Sequence, residues 1–553
     1  MNSSLNSSQP PLDNCEKDNS ILLRLPSTAK SDPLFAKKQN MLLSRSIPLQ
    51  FHIPLLAFSP PGKELHVLDE MIRAARILSL NETELYFVED DDLGPFSPMN
   101  ELESLNLVCS VINDLLHSVT GNEKDVLVAL RNAIVDNIAS YGTEASNGGK
   151  IKQCAPKPEM QLLEWGRSLG VKTKLQIAEF EDMGRGAIAV ENMDIGDAAL
   201  EIPVSIIICE DIVYDSDMFM VLKEIDGVTS ETMLLLWSMR EKHDASSRFK
   251  LYFESLPKTF NTGLSFGVDA LSALQGTLLF EEILQAKEHI REQYDALCPA
   301  LCSSHPNIFQ PEFYTWDQFL WACELWYSNS MKVIFPDGKL RTCLIPVAGF
   351  LNHSLYPHIL HYGKVDAEIN TLRFCLSRPC NKGDQCHLSY GRFASSHFVT
   401  FYGFCPRGNN PYDVIPLDID APQESDLDVV DDGDRITHMV RGTWLCKNKL
   451  LNYGLPSPLL VHLRCVLLDN KNVNSPTRTQ ETQISKDDEA VVLETILSIF
   501  SPMMEGLGGP DDFDRENLSW DVQLALDFKD LQRRIVSSVL ESCTAGLQAL
   551  SNI

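Results

Sequence analysis

The stretch from Ile345 to Phe404 constrains this chain more than any other part of it. The tetrapeptide Leu351-Asn352-His353-Ser354 stands directly behind an apolar run. Further on, a Lys382-Gly383-Asp384 turn opens onto Cys386-His387-Leu388-Ser389-Tyr390-Gly391, a short strand pattern closed by Tyr-Gly. A second Tyr-Gly, Tyr402-Gly403, is followed by Phe404. Upstream, Gly184-Arg185-Gly186 leads Ala187-Ile188-Ala189-Val190, and Asp194-Ile195-Gly196-Asp197 precedes Leu200-Glu201-Ile202-Pro203. These read as two short strands joined by a glycine turn, with Gly196 supplying the next turn. A dinucleotide-binding loop would need a third glycine and a long following helix, and the third glycine is absent.

In that order, Gly-Arg-Gly, Asn352-His353-Ser354, the strand ending at Tyr390-Gly391 and the closing Tyr402-Gly403-Phe404 resemble the SET-domain methyltransferases. The subgroup is that of the plant Rubisco large-subunit lysine methyltransferase and the actin-histidine methyltransferases. The resemblance implies an α+β fold: a SET-type β-rich core of short sheets with a pseudo-knot, interrupted by a helical insert and followed by a C-terminal all-helical substrate-binding domain. A small N-terminal helical region precedes it. It also implies S-adenosyl-L-methionine (AdoMet) as cofactor. Gly184, Arg185 and Gly186 resemble the opening that lets the backbone approach the methionine moiety. Asn352 and His353 resemble the cofactor contacts, Tyr402 the second pocket tyrosine and Phe404 the aromatic that covers the adenine. Tyr390 resembles the catalytic hydroxyl.

The chain departs from the family at three places. Asn329 stands after Ser328 where Arg is usual, Gly349 stands two residues before the Leu-Asn-His-Ser motif where Asp is usual, and Ser395-Ser396 replaces an Asn between the two Tyr-Gly pairs. A positive and a negative group are lost together. Ser keeps one hydrogen bond but not the two-point geometry of an amide.

Composition sets bounds on the rest. A chain of 553 residues exceeds one core, so several domains are expected. The formal charge of -29 argues against phosphate-backbone binding, because nucleic-acid binders need local Lys and Arg excess. Fifteen cysteines without a repeated Cys-x-x-Cys spacing fit reduced thiols inside a cell. Cys375, Cys380, Cys386 and His387 fall on expected strands whose alternation would turn them to different faces, so no structural metal is expected. The longest apolar stretches, 47–58 and 204–208, are too short to span a bilayer, and no transmembrane helix is expected.

Taken in order, residues 1–60 are rich in Ser, Asn and Pro and are expected to be a disordered arm. Asp13, Glu16, Asp18 and Asp32 count against a transit peptide. A helical accessory region spans 61–140, with Val67, Met71, Ala74 and Ile77 on one face. A linker is expected over 141–158 and the SET domain over 159–410 with its helical insert at 211–340. An acidic connector at 411–435 and a helical domain at 436–553 follow. In the insert, Phe249, Tyr252, Trp321 and Trp326 read individually as core packing and jointly as one wall of a cleft.

The expected activity is AdoMet-dependent N-methylation of lysine in a non-histone protein. Histidine as acceptor is one alternative, since neutral imidazole needs no deprotonation. A SET-fold protein-binding adaptor without turnover is another. The expected partner is a protein substrate, with no nucleic acid and no membrane. A monomer is expected, in the cytoplasm or nucleus, with the chloroplast as the other compartment.

Overall fold

The structure is a computed structural model that describes residues 20–27, 30–55, 63–89, 92–142, 150–154, 157–181, 183–420, 435–446, 453–470, 485–509 and 515–552. It divides into two compact units, Met1–Ser146 and Asn147–Ile553.

In the first unit, strand β1 (Ser20–Arg24) pairs antiparallel with β2 (Gln50–Pro54), Leu23 opposite Phe51. The described part of the expected disordered arm is therefore ordered. Ile21, Leu23 and Leu25 alternate on one strand, Phe51 and Ile53 on the other, and all five are buried. Period-two alternation gives a strand one apolar face, which a count of Ser, Asn and Pro conceals. Residues 1–19 of that arm lie outside the described residues. Helices Lys63–Leu78, Pro98–Leu116 and Asn122–Ser140 follow, burying Met71, Ala74, Leu102, Leu105 and Ile134. Glu82–Tyr86 is a short helix closed by a capping box between Asn81 and Glu84.

The second unit is built from short sheets. β3 (Ile151–Cys154), β5 (Leu175–Phe180) and β6 (Gly184–Ala189) form one, in the order β3-β5-β6. β4 (Lys172–Thr173), β7 (Ala198–Pro203), β10 (Val365–Asp366) and β11 (Thr371–Cys375) form another, ordered β10-β11-β7-β4. β8 (Ser330–Ile334) and β9 (Leu340–Leu344) make a hairpin. Between β7 and β8 the chain carries helices instead, chiefly Ser230–Glu241, Lys250–Ser255, Leu278–Ser304 and Trp316–Asn329. Phe249, Tyr252, Trp321 and Trp326 are buried in a core shared with β5, β6, β7 and β9, and Trp321 Nε1 donates to the Pro257 carbonyl at 3.0 Å.

Two boundaries differ from the sequence reading. β3 lies within the expected linker, because Ile151 and Cys154 find partners on the edge of β5. The acidic connector contributes β12 (Val414–Asp420), which pairs with β13 (Arg435–Arg441). Asp418 is exposed where Ile415 and Leu417, at alternate positions, are buried, and residues 421–434 of that connector lie outside the described residues. The region from 436 thus opens on a strand before it becomes helical. Helices Ser457–Asn470, Lys486–Leu507 and Trp520–Ser551 complete it, with Leu459, Val492, Ile496, Phe500 and Val539 buried in their common core. Among the described residues, Lys486–Leu507 alone is long and apolar enough to cross a membrane. Its apolar face is packed in that core.

Candidate functional site

Three separate chain segments meet where β6 begins. The side-chain amide of Asn352 donates to the carbonyl of Arg185 at 2.9 Å, joining residues 167 positions apart. Gly186 has to be glycine, because a Cβ there would strike the Gln385 amide, the Phe180 ring and the Asn352 amide. The Leu388 N–H donates to the Asn352 carbonyl at 2.8 Å, and the Ser354 N–H donates to Leu388 at 3.2 Å. On its other flank the same segment is held by Cys386 N–H donating to the Ala187 carbonyl at 2.8 Å. The Asn352 loop is entered through Val347, whose φ of 74° lies in the left-handed region. For a β-branched residue that conformation costs about 1–3 kcal/mol and persists only where the surroundings enforce it.

The segment 386–390, expected as a strand, makes only isolated bridges at Leu388, because the Asn352 loop meets it at single points; it places the Tyr390 ring beside that loop. Tyr390 Oη donates to the Leu351 carbonyl at 3.0 Å, and the Tyr390 N–H donates to His353 Nδ1 at 3.1 Å. That bond puts the proton of the neutral His353 ring on Nε2, and Nε2 is buried without a partner. Burial, with His387 nearby, lowers the His353 pKa to about 3, so the ring stays neutral. Burial raises the Tyr390 hydroxyl, helped by Tyr402 and Tyr362, and it remains a donor. Tyr402 stacks on Tyr390 with centroids 5.0 Å apart, and Phe404 lies 6.2 Å from His353. Both pack on fully buried Phe398, at 5.7 and 5.1 Å. The chain turns between Tyr402 and Phe404 through Gly403 at φ 77°, where a Cβ would collide with the Asn261 carbonyl.

Thus Gly186, Asn352, His353, Tyr390, Tyr402 and Phe404 gather, together with the main chain of Arg185. The Arg185 side chain does not turn toward them. It pairs with buried Glu159 at 2.9 Å and lies over the Phe350 ring at 5.1 Å. Gly184 sits at the exposed end of β6, with nothing within 4 Å of where its side chain would be. Its φ of 66° serves the turn.

The departures from the family pattern have places too. A Cβ on Gly349 would lie 3.3 Å from Asn329 Oδ1, so the two changed positions face one another. Ser395 is directed away from the site: its N–H and Oγ donate to the buried carboxylate of Asp413 at 2.6 and 2.9 Å. Burial raises the Asp413 pKa to about 6 despite these bonds.

One residue was missed in the sequence. Gln385 is 3% exposed, and both its amide oxygen and nitrogen are buried without partners beside Gly186 and Asn352. Among Lys382, Gly383, Asp384 and His387 no local contrast marked it, and its bridge to Ile188 exists only in the fold. The cysteine expectation also needs correction. The chain folds back between Cys380 and Cys386, so their sulfurs and a ring nitrogen of His358 all lie within 4.8 Å of one another. The His358 ring is nonetheless turned to donors on both sides. Nδ1 accepts from His387 N–H at 3.1 Å, and Nε2 lies 3.1 Å from the Arg378 guanidinium. Neither nitrogen is aimed at an ion.

No family model matches the chain. The actin-histidine N-methyltransferase of Xenopus tropicalis is 22% identical over 351 residues, covering 60% of this chain and 58% of that protein. The chain therefore spans little more than half of that relative's length. The chloroplastic Rubisco large-subunit N-methyltransferase of Pisum sativum is 23% identical over 438 residues, covering 75% of this chain and 86% of that protein. A crystal structure of the SET domain of LSMT bound to lysine and AdoHcy superposes with a TM-score of 0.54. It is 20% identical and covers 72% of this chain and 94% of that one. That likeness carries the fold.

Proposed function

With the chain a SET-fold relative of the Rubisco large-subunit and actin-histidine methyltransferases, we propose that it is an AdoMet-dependent protein N-methyltransferase whose acceptor is a lysine in a non-histone protein. The observation that carries this reading is the meeting of Arg185-Gly186, Asn352-His353 and Tyr390. The segment 386–390, threaded between the Asn352 loop and β6, is the pseudo-knot of that fold. The helices between β7 and β8 are its insert, and residues 436–553 its substrate-binding domain. We propose that it acts as a monomer in the cytoplasm or nucleus, with the chloroplast as the alternative compartment.

The residues fit the cofactor. His353 Nε2 offers a buried N–H with no partner, and Gln385 offers a buried donor and acceptor. Gly186 lets the Gln385 and Asn352 amides close against the backbone of β6, and Phe404 supplies an aromatic face. When bound, the sulfonium supplies an electrophilic methyl for in-line displacement. The chain's own work is orientation and desolvation. Asn352 holds the start of β6 to the segment that bears Tyr390. The Tyr390 hydroxyl, kept protonated by burial and anchored on Leu351, aligns the acceptor nitrogen. Lysine is mostly protonated near neutrality, and the aromatic lining of Tyr390, Tyr402 and Phe398 disfavours the ammonium form.

One observation favours the adaptor alternative: Asn329 and Gly349 face each other where the family sets Arg and Asp, so a positive and a negative group of the pocket lining are absent together. A histidine acceptor is the other alternative.

Calorimetric titration with AdoMet and AdoHcy tests the cofactor site. Micromolar binding weakened by Asn352→Ala and retained by Tyr390→Phe is the expected outcome. Wild-type protein that binds neither compound would leave the adaptor reading in its place. Mass spectrometry of methylated lysine- and histidine-bearing peptide pools then separates the two acceptors.

A further inference from the structure

A second cavity lies apart from the aromatic cleft, where the start of helix Leu278–Ser304, the segment Ala394–Ser396, the first residues of β12 and helix Trp520–Ser551 converge. It has about 60 Å³ of room for solvent-sized atoms. Leu279, Ile415, Phe528 and Ile535 give it an apolar lining. Its polar groups are differently placed. Asp413 is saturated by Ser395 and by Asn410, whose amide donates at 3.1 Å. Glu282 stands at the rim, exposed. Gln532 is 4% exposed, and both its amide oxygen and its amide nitrogen are without partners.

An amide buried with both ends unspent costs free energy that a ligand can restore. Its partner must present a donor and an acceptor side by side, and it must have an apolar stem to suit the rest of the lining. Carboxylates at the wall and rim exclude an anion. At about 10–15 Å³ for each solvent-sized position, the free room takes a group of roughly four to six atoms. We propose that this cavity is a binding site for a small aliphatic carboxamide, free or at the end of a side chain, paired head to head with the Gln532 amide. Ala394 and Ser396 precede the turn Phe398–Tyr402, so an occupant braces the wall behind Tyr402 against the C-terminal helix.

The full chain is titrated with butyramide by ligand-observed NMR, beside butyrate, which matches its shape but carries a charge, and 1-butanol, which lacks the planar pair. Crystals are soaked with butyramide in parallel. The expected result is saturable binding of butyramide alone, weakened about tenfold or more by Gln532→Leu. Ile535→Phe, which fills the cavity and leaves the amide intact, is expected to abolish it. A peptide ending in a glutamine side chain that competes with butyramide assigns the source to protein, and failure to compete assigns it to free amides. Equal binding of butyrate, indifference to both substitutions, or ordered water alone in the soaked cavity overturns the proposal. AdoMet binding is read on the same samples, so loss of this site and loss of the methyltransferase reading are separate outcomes.

Discussion

The core of the N-terminal unit and the cleft around Tyr390 treat their buried polar groups in opposite ways. In the first, Arg76 grips Glu101 with two hydrogen bonds, at 2.6 and 2.8 Å, Asn81 and Glu84 cap one another, and Ser97 donates to Glu84. Asn100 Oδ1 is the exception there among the described residues. In the second, His353 Nε2, beside the Phe398 ring, and both ends of Gln385 are left over. Polar groups that satisfy each other hold a fold together, and groups held ready but unsatisfied are what a ligand uses.

Substitutions on the two sides should therefore fail in different assays. Tyr390→Phe is expected to cut turnover by roughly 10²–10³-fold, with AdoHcy affinity and Tm unchanged. A matching drop in Tm would make Tyr390 a packing residue. Arg76→Ala leaves Glu101 buried and uncompensated, so a loss of about 3 kcal/mol in urea unfolding is expected, with cofactor affinity intact. An equal loss of cofactor affinity would erase the contrast.

Acid should also strike the cleft. Burial holds His353 near a pKa of about 3 and His387 near about 4, below the ordinary 6.5. The unfolded chain therefore takes up these protons first as pH falls. The stability from keeping the rings neutral is complete above pH ~6.5 and is lost on descent toward their folded values, at up to about 1.4 kcal/mol per pH unit for each ring. Unfolding free energies measured from pH 7 to 5 in the wild type and in His387→Gln should diverge in slope. Parallel slopes would show that burial of His387 is relieved by solvent.

Smaller effects sharpen the picture. Asn352→Ala should weaken AdoMet binding about tenfold, near 1.4 kcal/mol. Restoring the family pair with Asn329→Arg and Gly349→Asp should show a coupling of about 0.5–1 kcal/mol in a double-mutant cycle on lysine-peptide turnover. Strict additivity would mean the two positions do not act as a pair.

The cleft was readable where identity itself carries the chemistry. Asn352, His353, Tyr390, Tyr402 and Phe404 come together, because glycine turns and short extended segments leave the chain few alternatives. What escaped depends on neighbours remote in sequence. Leu23 and Phe51 are strand residues only because they meet each other. Cys380 and Cys386 approach because Asn381–Gln385 folds back, which strand alternation does not anticipate. Ser395, near where the family carries an amide, anchors Asp413, a partner that no local pattern announces.

The bond from Asn352 to Arg185 also sets a schedule for synthesis. Its two halves leave the ribosome 167 residues apart, an interval of roughly 8–33 s at ordinary elongation rates. Through that interval the start of β6 waits without its closing loop, while the intervening helices emerge. The nascent chain must keep β5 and β6 from pairing with strangers until Asn352 arrives, which makes the helices between β7 and β8 a timing element of biogenesis as well as a wall.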